Sequence, residues 1–155
     1  MNPFNSPQET ALRKRLFQTP NHHAYAIVDG AASPELLPKL NNSPAEYACL
    51  FQGELIPELA TAAPYLIKLT QYTPITEWLI ISKGLNHNIF AVVPDRVDFI
   101  TLYRHFRTFL RVRGDENEML YFRYYDPLVM QEFFLVPTIS VGMHTEFTLQ
   151  RKKTI

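Results

Sequence analysis

Five histidines, one cysteine and a scatter of aspartates and arginines are the groups through which this chain could do chemistry. The histidines are His22, His23, His87, His105 and His144, and none stands in an HExxH pair or another tight ligand spacing. One cysteine cannot build a zinc ribbon, so neither a metal nor a metal-activated water is expected. Cys49 lies inside the apolar run Tyr47–Phe51. A reactive thiol needs a partly exposed, electropositive setting, so an inert buried thiol is the expectation. The chain holds no GxSxG elbow, no GxxxxGK[ST] loop and no GxGxxG turn, and with only 5 glycines it offers little for cradling a phosphate. No cofactor is expected.

Carboxylates are the one catalytic option left open. Asp29 follows one apolar run and Asp126 follows another. Residues just past strand ends face the crevice where ligands bind in open sheets. Two such aspartates beside Arg107 or Arg123 could do acid–base work, as in a small hydrolase or transferase. The competing expectation is structural: each aspartate caps a turn or pairs with an arginine. Asp126-Pro127 has the form of a helix N-cap followed by proline at the first helical position. The structural option is favoured, so no catalytic residue is assigned and the chain is expected not to be an enzyme.

Charge is more informative in its distribution than in its total. With 15 Lys+Arg against 15 Asp+Glu the net charge is zero. That argues against a general nucleic-acid binder and against a polybasic membrane-surface protein. Between Tyr25 and Trp78, however, the acids Asp29, Glu35, Glu46, Glu54, Glu58 and Glu77 meet only Lys39 and Lys68. Between Arg96 and Arg113 the balance reverses: Arg96, Arg104, Arg107, Arg111 and Arg113 meet only Asp98. Arginine suits planar carboxylate pairing and is enriched, with aromatics, at protein interfaces. Arg104, Arg107 and Arg111 are therefore candidate partner-binding residues. Their two open fates are pairing with the acidic half of the same chain or meeting a partner protein.

These side chains need elements to hold them. Ser6-Pro7-Gln8-Glu9 opens a helix running to about Phe17, with Leu12, Leu16 and Phe17 as its apolar face. It reads as an N-terminal helical arm over residues 1–20, ahead of an α/β domain over residues 21–155. Tyr25–Val28, Tyr47–Phe51, Tyr65–Leu69, Asn88–Val93, Glu118–Tyr125 and His144–Leu149 read as strands. Short helices are expected from Ser33-Pro34, around Pro57 and from Pro74 through Trp78, the last closing at Gly84. Another is expected from Pro127 over Leu128, Val129, Phe133 and Phe134. The longest helix is expected over Asp95–Arg113, capped by Asp95. It carries an apolar stripe of Phe99, Leu102, Tyr103, Phe106, Phe109 and Leu110 opposite Arg104, Arg107, Thr108 and Arg111. Alternating strands and helices imply an α/β fold, one domain with a mixed sheet and βαβ units. No apolar run reaches bilayer length. With no targeting segment and one cysteine, a cytoplasmic address is expected.

Several of these stretches together carry a resemblance. They are Tyr25–Ala31 (YAIVDGA), Cys49–Leu55 (CLFQGEL), Ala63–Leu66 (APYL), Trp78, His105–Val112 (HFRTFLRV) and Phe122–Pro127 (FRYYDP). In order and spacing they resemble the type VI secretion adaptor family, the effector chaperones, a bacterial domain of unknown function. The similarity covers about residues 24–135. It implies a cytoplasmic, non-enzymatic helper that binds a secreted effector and helps load it onto the spike protein. It also marks Asp29, Arg123, Tyr125 and Asp126 as motif residues with a structural role.

Overall fold

Tyr25 and Ile27 point to one side of their strand, Ala24, Ala26 and Val28 to the other, and all five are buried. A strand buried on both faces needs cover on both, and the computed structural model, which describes residues 6–83, 88–113 and 115–126, supplies it. The central strand is β1 (His22–Asp29). It follows α1 (Pro7–Phe17), whose Ser6 hydroxyl accepts a 3.1 Å hydrogen bond from the Glu9 N–H. A 3₁₀ turn (Gly30–Ala32), α2 (Leu36–Asn41), β2 (Tyr47–Cys49), α3 (Pro57–Ala62) and β3 (Pro64–Leu69) come next. After them come α4 (Pro74–Trp78) with a π turn (Leu79–Lys83), β4 (Ile89–Pro94), α5 (Phe99–Thr108), and a hairpin of β5 (Arg111–Arg113) and β6 (Met119–Tyr121). The helix expected from Pro127, the strand His144–Leu149 and the cap at Gly84 lie outside the described residues.

The result is a single α/β domain. Its four-stranded sheet runs β2-β3-β1-β4, and every ladder is antiparallel where βαβ units would be parallel. The strand order gives the reason. β1 and β2 both run against β3, and β3 and β4 both run against β1, so each crossover joins two parallel strands that are not neighbours, with an antiparallel strand seated between them. The six-residue helix α2 lies on the crossover from β1 to β2, and α3, also six residues, lies on the return from β2 to its neighbour β3.

One face of the sheet buries Ala26, Val28, Tyr65 and Ile67 against Leu12, Leu16, Leu36, Leu40 and Leu79 from the α1, α2 and α4 side. Arg13 ties α1 to α4 through two hydrogen bonds to the Glu77 carboxylate, at 2.8 and 2.6 Å. The other face buries Tyr25, Ile27, Leu66 and Ile89 against Phe99, Leu102, Phe106, Leu110, Tyr124 and Tyr125.

The longest expected helix is shorter at both ends. Val97 closes a turn onto Pro94, and the cap is Asp98, not Asp95: its Oδ1 accepts from the Thr101 N–H at 2.8 Å. Instead the Asp95 N–H donates to Asn21 O at 2.9 Å, continuing the edge of the sheet. At the far end, Phe106 O accepts from the Tyr124 hydroxyl (2.8 Å) and Leu110 O from the Phe122 N–H (2.8 Å). Those tertiary donors replace the N–H groups of a further helical turn. Arg111 therefore sits on a strand, not on the helical stripe with Arg104 and Arg107. The strand expected over Glu118–Tyr125 shortens likewise to β6, and Asp126 closes a turn onto Arg123 O at 3.1 Å.

Candidate functional site

Two assemblies gather the sequence's candidate residues. The first joins the two halves of the chain. Asp29 ends β1 almost fully buried; its Oδ1 accepts from the Ala31 N–H at 3.0 Å and its Oδ2 from Arg123 Nη2 at 2.7 Å. Arg123 also lies over the Tyr125 ring, 5.7 Å from the centroid, and its backbone carbonyl accepts the Asp126 N–H. Burial works against the Arg123 charge, but Asp29 and Tyr125 outweigh it and hold the guanidinium above its ordinary pKa. Asp29, Arg123, Tyr125 and Asp126 thus form one cluster. Beside it the Gly30 N–H donates to Ala63 O at 3.0 Å, a close approach of two backbones. One Asp29 oxygen caps the Gly30–Ala32 turn and the other holds Arg123, so both are in structural use.

The second assembly is a groove of about 420 Å³ between the end of α5 and the Phe51–Leu59 segment. Phe51, Leu55, Leu59 and Leu110 give it apolar walls, and Arg107 and Arg111 line it with charge. Arg104, one turn earlier on α5, is exposed and does not line it. Arg107 is held in place. Its Nη1 donates to the Tyr103 hydroxyl at 3.4 Å, its guanidinium carbon lies 5.3 Å from the Tyr103 ring centroid, and that hydroxyl donates to Cys49 O at 2.9 Å. The arginine is thereby anchored to β2. Among the described residues Arg104, Arg107 and Arg111 form no ion pair; the bridges there are Arg13–Glu9, Arg13–Glu77 and Arg123–Asp29. Intramolecular pairing with the acidic half is thus not their fate among these residues.

The apolar side of this groove is what the sequence conceals. Phe51 and Leu55 read as members of a buried strand and a core helix. Yet α3 buries none of its residues, Leu59 is 43% exposed and Ile56 is 65% exposed. The available signal was local: a six-residue helix started by Pro57 has too few positions to form a stripe.

Cys49 is half-buried on β2, not fully buried. Burial pushes its thiol up, against the Phe51 backbone hydrogen bond and Tyr65, so it stays protonated at neutral pH. The neighbouring Tyr65 hydroxyl is pushed up to about 12, chiefly by burial. It donates to Ala60 O at 2.7 Å. Among the described residues no cluster of three His, Cys, Asp or Glu side chains could hold a metal ion, and no helix is long and apolar enough to cross a membrane.

Comparison with known proteins places the chain by family. A search of curated proteins returned no match, and neither did a search of solved structures. A family profile described as "Domain of unknown function (DUF4123)" matches residues 24–138, from within β1 past the Asp29–Arg123 cluster. Both assemblies fall within that span, and the chain belongs to the DUF4123 family.

Proposed function

We propose that this protein is an adaptor of a type VI secretion machine. In this reading it works in the cytoplasm, binds an effector protein, helps load it onto the spike protein and catalyses no reaction. The family is linked with such adaptors. The observation that carries the reading is the groove: two arginines without an ion pair among the described residues, one of them anchored by Tyr103, beside an apolar wall whose Leu59 is exposed. Apolar surface rimmed by arginine is the composition of a protein-binding hot spot. The alternative reading, a hydrolase or transferase using Asp29 or Asp126, gains no support from an Asp29 carboxylate whose two oxygens are both in structural bonds.

The test is affinity purification of the full chain from its native cell, with identification of what co-purifies. An effector and a spike protein are expected. Truncating Arg107 or Arg111 to alanine should weaken capture about thirtyfold, the equivalent of about 2 kcal/mol at a desolvated hot spot. Arg104→Ala, outside the groove, should have a smaller effect. Recovery of no secretion component by the wild-type chain overturns the reading.

A further inference from the structure

The groove's chemistry also constrains what enters it. Among the described residues its charged liners are Arg107 and Arg111, both cationic, and no acidic side chain lines it. A guanidinium presents a planar fork of donors that matches a carboxylate bidentately. Arg107 is already held by Tyr103, so little side-chain freedom is lost when it pairs. Opposite the arginines, Phe51, Leu55 and Leu59 offer apolar contact, while the exposed Glu54 and Glu58 adjoin that wall in the chain. The two sides therefore ask for different things: carboxylates toward α5 and apolar side chains toward α3. A polyanion such as nucleic acid satisfies only the first, and a cluster of two arginines in a chain of zero net charge is a weak phosphate track.

We infer that the groove is a docking site for a short amphipathic, acidic segment of a partner protein, with carboxylates paired to Arg107 and Arg111 and aliphatic side chains seated on Phe51, Leu55 and Leu59. The inference rests on the adaptor reading for the identity of the partner, and on the groove alone for its chemistry. Because the pairing is electrostatic and rim-exposed in part, binding weakens as salt rises and the screening length falls below about 8 Å.

The probe is a panel of fluorescein-labelled peptides in which leucines at i and i+4 are combined with two aspartates at varied positions. A matched panel carries asparagine and another lysine in place of aspartate. Anisotropy is measured on the full chain, with a single-stranded oligonucleotide as competitor. At least one aspartate peptide should bind tenfold or more tighter than its asparagine match. The double variant Arg107→Glu with Arg111→Glu should lose that binding and gain the lysine peptide, while still unfolding in urea as one cooperative transition. Equal binding of aspartate and asparagine peptides overturns the inference, as does loss of the peptide to an oligonucleotide of equal charge. The two readings fail separately. Capture of secretion partners without aspartate preference sinks the acidic segment and leaves the adaptor. Aspartate preference lost in the double variant, with no secretion partner captured, does the reverse.

Discussion

Asp29 is 5% exposed and holds Arg123, whose side chain is 50% exposed. The asymmetry sets the expected energetics. Removing one partner of a fully buried pair costs about 3–5 kcal/mol because a charge is left unpaired in low dielectric. Here water can reach the arginine side, and the Ala31 N–H still serves one oxygen, so Arg123→Ala should cost about 1–2 kcal/mol. Urea unfolding of Arg123→Ala, Asp29→Asn and the double variant measures the coupling; a coupling within error of zero would mean the pair holds nothing together. Gly30 makes a sharper prediction. A Cβ there would lie 2.3 Å from Thr61 O and 2.5 Å from Ala63 O, both backbone atoms. Neither can swing aside, so Gly30→Ala should destabilise by about 3 kcal/mol, the upper end of overpacking. Gly53 differs: nothing lies within 4 Å of its Cβ position, but its φ is +81°. Gly53→Ala should cost only the left-handed strain, about 1–2 kcal/mol. If the two alanine variants unfold alike, the close packing at Gly30 is relieved by backbone movement.

The helix α5 does several jobs at once: it covers one sheet face with Phe99, Leu102 and Phe106 and presents Arg107 to the groove. His105 lies on the same helix, its ring 5.7 Å from that of Phe106 and 4.8 Å edge-on from that of Phe109. Burial among these rings disfavours the imidazolium and lowers the His105 pKa. The unfolded chain, with a histidine pKa of about 6.5, then binds a proton before the folded one does. Stability from this group is full above pH of about 6.5, falls as pH drops through the window down to the depressed folded value, and then levels. His105→Gln should remove that part of the slope. Urea midpoints measured between neutral and mildly acid pH for both proteins check it; parallel curves would show that other groups carry the acid sensitivity.

At the scale of the whole molecule, β1 and β3 belong to both cores, since alternate residues of each face opposite sides of the sheet. The two layers of cover cannot then melt independently. Trp78, the single tryptophan, packs on the α1, α2 and α4 side, with Lys39 Nζ 5.1 Å from its ring centroid. Phe106 is 1% exposed on the opposite side. Phe106→Ala should lower stability by about 3–5 kcal/mol, and the loss should appear in Trp78 fluorescence as one shifted transition. A tryptophan signal that keeps its wild-type midpoint would mean that the two faces unfold separately.

Local signals were sufficient wherever a residue acts on its own neighbours. Ser6-Pro7 starts α1, Pro57 and Pro74 each start a helix, and the runs around Tyr25, Tyr65 and Ile89 are strands, because caps, proline φ angles and apolar runs act within a few residues. The α/β class was legible for the same reason. The antiparallel order was not, since it depends on β3 seating between β1 and β2 and on β1 seating between β3 and β4, pairings between segments far apart in sequence. Nor was the end of α5, where Tyr124 and Phe122 take carbonyls that a longer helix would have kept. Candidate arginines were visible as a charge reversal along the chain. Their separation into an exposed Arg104, an anchored Arg107 and a strand-borne Arg111, and the pairing of Asp29 with Arg123, 94 residues away, required the folded chain. An ion pair or a groove wall is a fact about distance in space, and spacing along the sequence carries that only where one element holds both ends.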